Sequence, residues 1–185
     1  MVGLGNPGPE YEATRHNAGW LLLDRLAARW GCGTFRRDLQ ARAADCRWAD
    51  QPVRLLKPQT YMNRSGSALA PLLGRPGFDP STHLLVVVDD VALPLGRFRL
   101  RGAGSPGGHN GLKSVEAVLR RQDYARLRIG VGPKPPEWDD LSDFVLGRFT
   151  PDERRQLDEL LDPMADAAEC WVAEGIEIAM QRYNR

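Results

Sequence analysis

The sequence predicts an α/β fold: a single domain built on a mixed, mostly parallel twisted sheet, flanked by helices on both faces in three layers. Three observations carry this. Apolar runs of strand length alternate along the chain with segments of helical period. One run, Leu84-Leu85-Val86-Val87-Val88, is apolar without interruption, as in a strand covered on both sides. The 185 residues include 42% hydrophobic and 26% charged side chains, the make-up of one ordinary globular domain with a proper core.

In chain order, residues 2–5 end a first strand in a glycine turn. Residues 17–30 form a helix, since Leu22, Leu23, Leu26, Ala27 and Trp30 share one face and Gly31 follows as a stop signal. Residues 41–48 and 53–57 are strands separated by the turn Ala49-Asp50-Gln51-Pro52. A helix spans 65–73, closed by Gly74 and Pro76. The valine strand comes next, over 84–88, then a strand over 96–101. Residues 112–120 are helical, with Leu112, Val115, Val118 and Leu119 on one face. Residues 124–131 are a strand. Residues 132–143 are proline-rich and acidic and form a long loop, a length associated with lids and binding loops. Residues 151–184 form a C-terminal helical segment, starting near Pro151 and divided at Pro163.

Composition excludes several classes. No apolar run approaches the ~18 residues of a membrane span, and no secretory signal opens the chain, so a cytoplasmic protein is expected. Cys32, Cys46 and Cys170 are odd in number and widely spaced, which argues against a disulfide framework and a zinc site and predicts free thiols. The net charge of +1 is uninformative, but lysine stands only at Lys57, Lys113 and Lys134, so arginine supplies all but three of the 25 basic residues. Genomic base composition accounts for much of that. Position does more: Arg97, Arg99 and Arg101 alternate along one strand, and Arg126 and Arg128 along another. Each set lines one face with cations, as a phosphate groove requires.

Chemistry-bearing side chains concentrate in loops. Gly3-Leu4-Gly5-Asn6-Pro7-Gly8 precedes Arg15-His16-Asn17; Thr60-Tyr61-Met62-Asn63 precedes Ser65-Gly66; and Gly107-Gly108 precedes His109-Asn110-Gly111. Turns need glycine, but not histidine and amides. If the preceding strands run parallel, these loops and the doublet Asp89-Asp90 meet at one edge of the sheet, where such folds bind ligands. The first glycine run matches a dinucleotide fingerprint formally, but no helix opens at once and no acidic residue ends a second strand. His16 suits a general base, and one of the two aspartates can orient it; alternation does not say which. Asn63 and Asn110 can cap the helices behind them or touch a ligand. His109 can touch substrate or pack against its turn, and His83 reads as surface. Gly-x-Ser-x-Gly is absent, so attack by water ranks above a covalent intermediate.

These motifs, with Tyr11, Pro58-Gln59, Leu93-Pro94-Leu95-Gly96, Leu112-Lys113, Arg126-Leu127-Arg128-Ile129-Gly130 and Phe144-Val145-Leu146, make the chain resemble bacterial peptidyl-tRNA hydrolases along its length. The resemblance implies cleavage of the ester between a peptide and the 3′ ribose of tRNA. It implies His16 as the base with Asp89 behind it, and Asn6 and Asn110 on the ester and peptide end. Tyr11, Tyr61, Met62 and Asn63 would line the cleft, with His109 at its rim. Arg101 and Arg128 would hold a tRNA phosphate. It also implies a monomer without metal, cofactor or membrane partner, and residues 132–143 as a lid. Two departures stand out: the family has a few residues more before Met1, and Pro106 replaces a small residue, stiffening the third loop. Two rivals follow from the same sheet: an RNA-binding module without hydrolysis, and a phosphorylase of nucleosides.

Overall fold

A computed structural model describes residues 1–184. The strands are β1 (Val2–Gly3), β2 (Arg36–Asp38), β3 (Ala41–Trp48), β4 (Gln51–Pro58), β5 (Leu85–Pro94), β6 (Phe98–Arg101) and β7 (Ala125–Gly132). The helices are α1 (Ala18–Arg29), α2 (Ala70–Leu73), α3 (Pro80–His83), α4 (Asn110–Leu119), α5 (Leu141–Leu146), α6 (Pro151–Glu174) and α7 (Ile176–Tyr183), with 3₁₀ turns at Arg15–Asn17 and Met62–Leu69. The seven strands form one mixed sheet in the order β2-β3-β4-β1-β5-β7-β6. Strands β4, β1, β5 and β7 are parallel; β3 and β6 run against their neighbours.

The valine strand explains the layering. Leu85 and Val87 face a core formed with Leu22, Leu23 and Leu26 of α1 and with Leu157, Leu161 and Met164 of α6. Val86 and Val88 face the opposite core, with Leu112 and Val115 of α4 and Met62 and Leu69. A strand apolar at every position therefore has helices on both sides, as its composition predicts. At the start of α1, a Cβ on Gly19 would stand 2.6 Å from Val87 O and 2.8 Å from Leu4 O. Only glycine lets this helix end sit directly on β1 and β5, and His16 lies three residues upstream.

Several expectations are corrected. The helix over 65–73 is mostly the 3₁₀ stretch Met62–Leu69, with only Ala70–Leu73 in an α-turn. Pro163 does not divide the last segment: α6 runs through it, and the break comes at Gly175, with φ +84°. The face of α6 buried from Leu157 to Cys170, on both sides of Pro163, outweighs the roughly 3 kcal/mol that an internal proline costs. Residues Leu141–Leu146 form α5, so the long loop ends before Asp143. Strand β2 and helix α3 carried too little periodicity to be seen. Cys32 and Cys46 form a disulfide, contrary to the free thiols expected; the end of α1 meets β3 and brings their Cα atoms within 4.9 Å. Cys170 is free and buried. His83 is exposed and accepts from Asp79 N at 2.9 Å.

Candidate active site

Strands β1 and β5 lie side by side, but the chain leaves them in opposite directions. From β1 it passes through α1 on one face toward β4; from β5 it passes through α4 on the other face toward β7. The divergence opens a crevice at their carboxyl ends, the topological switch point of an open α/β sheet. Asp89 lies at the middle of β5, one residue before its register with β7 breaks, and there the turn before α1 brings His16 and the turn before α4 brings His109.

The bond pattern settles the tautomers. His16 Nδ1 lies 2.9 Å from both Asp89 oxygens, and His109 Nε2 lies 2.9 Å from Asp89 Oδ1. A carboxylate only accepts, so each of these nitrogens carries a proton. His109 Nδ1 accepts from the backbone N–H groups of Gly111, at 3.1 Å, and Leu112, at 3.3 Å. His109 is thus the N-cap of α4, both its nitrogens are committed, and it offers the crevice a ring edge. His16 spends only Nδ1 on Asp89, which leaves Nε2 to accept a proton. Burial by itself would lower the pKa of His16, but the Asp89 charge and hydrogen bond outweigh it and hold the imidazole above its ordinary value. Burial by itself would raise Asp89; its two imidazole partners pull its pKa far below the usual carboxylate range instead. Asp90 meets neither imidazole, and its Oδ2 lies 2.7 Å from Arg128. That approach is an ion pair without hydrogen-bond alignment.

Asn6 is held on three sides. Its backbone N–H donates to Asn17 Oδ1 at 2.8 Å, its carbonyl accepts from Asn17 Nδ2 at 3.0 Å, and its Oδ1 accepts from Met62 N at 2.7 Å. The side-chain NH₂ is left as the donor end of the amide. A Cβ on Gly111 would stand 2.6 Å from Met62 Sδ and 2.9 Å from a Leu4 methyl, so glycine brings the start of α4 against both the Asn6 and the Met62 loops. Asn63 sits within the 3₁₀ stretch and is exposed; it caps nothing. Asn110 is exposed at the first position of α4 and is not its cap either. Tyr61 is exposed and Tyr11 half-buried.

A cavity of about 280 Å³ joins part of this set: His16, Asp89, His109, Asn110, Asp90 and Arg128 line it, with Pro106. Asn6, Tyr11, Tyr61, Met62 and Asn63 lie outside its walls. The far wall is Asp140, Leu141, Ser142 and Val145, in or just before α5. Arg15, which the sequence did not single out, fastens that wall. It is buried, its guanidinium lies 4.4 Å from the Phe144 ring centre, and it makes a two-oxygen contact with Glu153 at 2.7 and 2.9 Å. Arg15 N also donates to Gly147 O at 3.1 Å. The segment carrying His16 is therefore tied to the helix that closes the cavity. Asn17, quoted in the sequence only as part of the His16 motif and the start of a helix, holds the Asn6 loop by two hydrogen bonds.

The cations are sorted by burial. Antiparallel pairing sets Arg99 opposite Arg128 and Arg101 opposite Arg126, so all four belong to one face of the sheet. Arg99 and Arg101 are exposed and Arg128 is half-buried. Arg126 does not join a groove: it is 2% exposed, lies over the Tyr124 ring and pairs with Glu116 at 3.2 Å. Because β6 is antiparallel, His109 and Asn110 do not arrive from its carboxyl end; residues 102–109 carry them back across the sheet. Among the described residues, His16, Asp89 and His109 offer ligand atoms within 4.8 Å of one another. A metal there would displace the two protons that join the imidazoles to Asp89.

A family model described as peptidyl-tRNA hydrolase matches residues 1–185. A relative from Gemmatimonas aurantiaca of that name is 50% identical over 187 residues, covering 100% of this chain and 98% of its own. One from Roseiflexus sp. is 48% identical over 184 residues, covering 100% and 84%. The crystal structure of peptidyl-tRNA hydrolase from Acinetobacter baumannii superposes with a TM-score of 0.91 at 34% identity, over 99% of this chain and 92% of that one. On these matches and this fold, the chain belongs to the peptidyl-tRNA hydrolase family.

Proposed function

We propose that this protein releases tRNA from peptidyl-tRNA by hydrolysing the ester that joins the peptide to the 3′ ribose. The observation that carries the reading is the His16–Asp89 pair, which leaves one imidazole nitrogen uncommitted at a cavity in the sheet's switch-point crevice. His16 Nε2 removes a proton from water, and the resulting hydroxide attacks the ester carbonyl. Asp89 stabilises the imidazolium that forms, as the carboxylate does in a hydrolytic triad. The imidazolium then returns the proton to the departing ribose oxygen.

Amide donors suit the charge that develops on the carbonyl oxygen. Asn6 has its NH₂ end to offer, and Asn110 stands at the N-terminus of α4, where the helix dipole favours negative charge. Tyr11, Tyr61, Met62 and Asn63 border the peptide end. Arg101 and Arg128 take a tRNA phosphate, and residues 132–143 act as the lid. The reading places this chemistry in a cytoplasmic monomer with water as its only co-reactant.

The test is hydrolysis of tRNA carrying an N-acetylated amino acid. His16→Ala loses turnover by about 10²–10⁴-fold, the usual worth of a general base, while tRNA binding persists. Near-normal turnover in that variant defeats the mechanism. Phosphate-dependent release of a free base would favour the phosphorylase rival instead.

A further inference from the structure

Beyond the cavity, three adjoining hollows form a groove lined by none of the cavity's residues. Gln59 lines all three. The groove begins between Pro7 and Tyr61, the chain neighbours of Asn6 and Met62, and includes a hollow of about 970 Å³ against Trp20, Phe35 and Lys57. We propose that this groove binds the part of the substrate's peptide upstream of the ester, with a preference for acidic side chains. The proposal rests on the hydrolytic reading of the neighbouring cavity, which places the tRNA on the Arg101 and Arg128 side and leaves this side for the peptide.

Three features support it. Arg37 and Arg42 stand directly opposite each other across β2 and β3. Like charges in that position destabilise a strand pair. Both are exposed, as is Arg64 farther along the groove, and among the described residues none of the three has an ion-pair partner. Leu39 and Tyr61 are the most exposed large hydrophobic residues, at 70% and 62%, and both line the groove. Leu39 is held outward on a turn with φ +52°, a conformation unfavourable to leucine.

The acids do not cancel this charge. Asp24 is taken by Lys57, whose ammonium lies 4.4 Å from the Phe35 ring centre, and Glu12 lies only at the inner end. Lys57 is therefore part of the wall, and the mouth is cationic.

The experiment compares tRNAs carrying a single N-acetylated residue, an acidic decapeptide or a basic decapeptide. In the wild type, kcat/KM favours the acidic decapeptide over the basic one. In Arg37→Glu/Arg42→Glu that ratio falls by about three- to tenfold, as expected for two exposed charge contacts, and kcat/KM for the single-residue substrate does not change. An unchanged ratio overturns the proposal. Should the double variant melt early, Leu39→Asp, at an exposed turn, reads the same ratio with the same two outcomes. Fluorescence anisotropy of a labelled acidic decapeptide tests the groove without catalysis. Binding that the double variant abolishes supports it, and equal binding by both proteins overturns it. Failure of the wild type to cleave the single-residue substrate would sink the hydrolytic reading, while the anisotropy arm still decides the groove.

Discussion

Replacing Asp89 by asparagine removes a charge and almost no volume, so its effects are electrostatic. The side chain is 1% exposed and accepts from two imidazoles at 2.9 Å. An asparagine satisfies one of them with its oxygen and turns an N–H toward the other. Facing a donor, His16 adopts the other tautomer, and Nε2, the nitrogen left to act as base, then carries the proton. In a hydrolytic triad this change costs about 10⁴-fold in turnover, and loss of general base catalysis alone about 10²–10⁴-fold. The pH dependence moves as well. Burial lowers the His16 pKa, and the Asp89 carboxylate more than compensates. With that charge gone only the lowering remains, so the acid limb of kcat/KM falls below the ordinary histidine value of 6.5, whereas in the native protein it lies above. The assay is cleavage of N-acetylated aminoacyl-tRNA from pH 5 to 9. A limb that stays in place, or turnover within tenfold of native, would refute the reasoning.

Four further outcomes follow. His109→Gln keeps turnover within about tenfold at neutral pH, because neither nitrogen of His109 is free to act as a base; a loss as large as that of His16→Ala would contradict this. Asp90→Asn frees Arg128 from its 2.7 Å partner and tightens tRNA binding, whereas Arg128→Ser weakens it and flattens the salt dependence by a slope of roughly 0.7–0.9; filter binding across a salt series reads both. Gly19→Ala presses a methyl onto two backbone oxygens and costs roughly 1–3 kcal/mol, about 2–4 °C of melting temperature per kcal/mol. Asp89, whose pKa is depressed on folding, contributes stability that is present above its ordinary value of 3.8 and lost as the pH falls below it; acid unfolding of Asp89→Asn is correspondingly less steep with pH.

Much of the architecture was legible because burial is periodic in sequence. Leu85 to Val88 announce a doubly covered strand, and Leu22, Leu23 and Leu26 a helix with one buried face. Where periodicity is weak, as in the three residues of β2 or the 3₁₀ stretch after Tyr61, nothing local distinguished the true conformation. Pro163 misled because its local cost is real but smaller than the packing of α6 on both sides of it, from Leu157 to Cys170. The site followed the same division. His16, Asn6 and His109 stood out as polar groups in glycine turns, while Arg15 and Asn17, quoted beside His16, had no role until the segments they bind were in place.

By itself, then, the sequence determined the main strands and helices, and which loops carry histidine and amides, since both depend on neighbours a few positions apart. Only the tertiary structure decided that Asp89 rather than Asp90 meets the imidazole, that His109 has no nitrogen to spare, that Arg126 is buried while Arg101 is not, and that Cys32 meets Cys46. Each of these depends on how the sheet is ordered and how α1 and α4 seat upon it. That is settled by contacts between residues far apart in the chain, which no local pattern encodes.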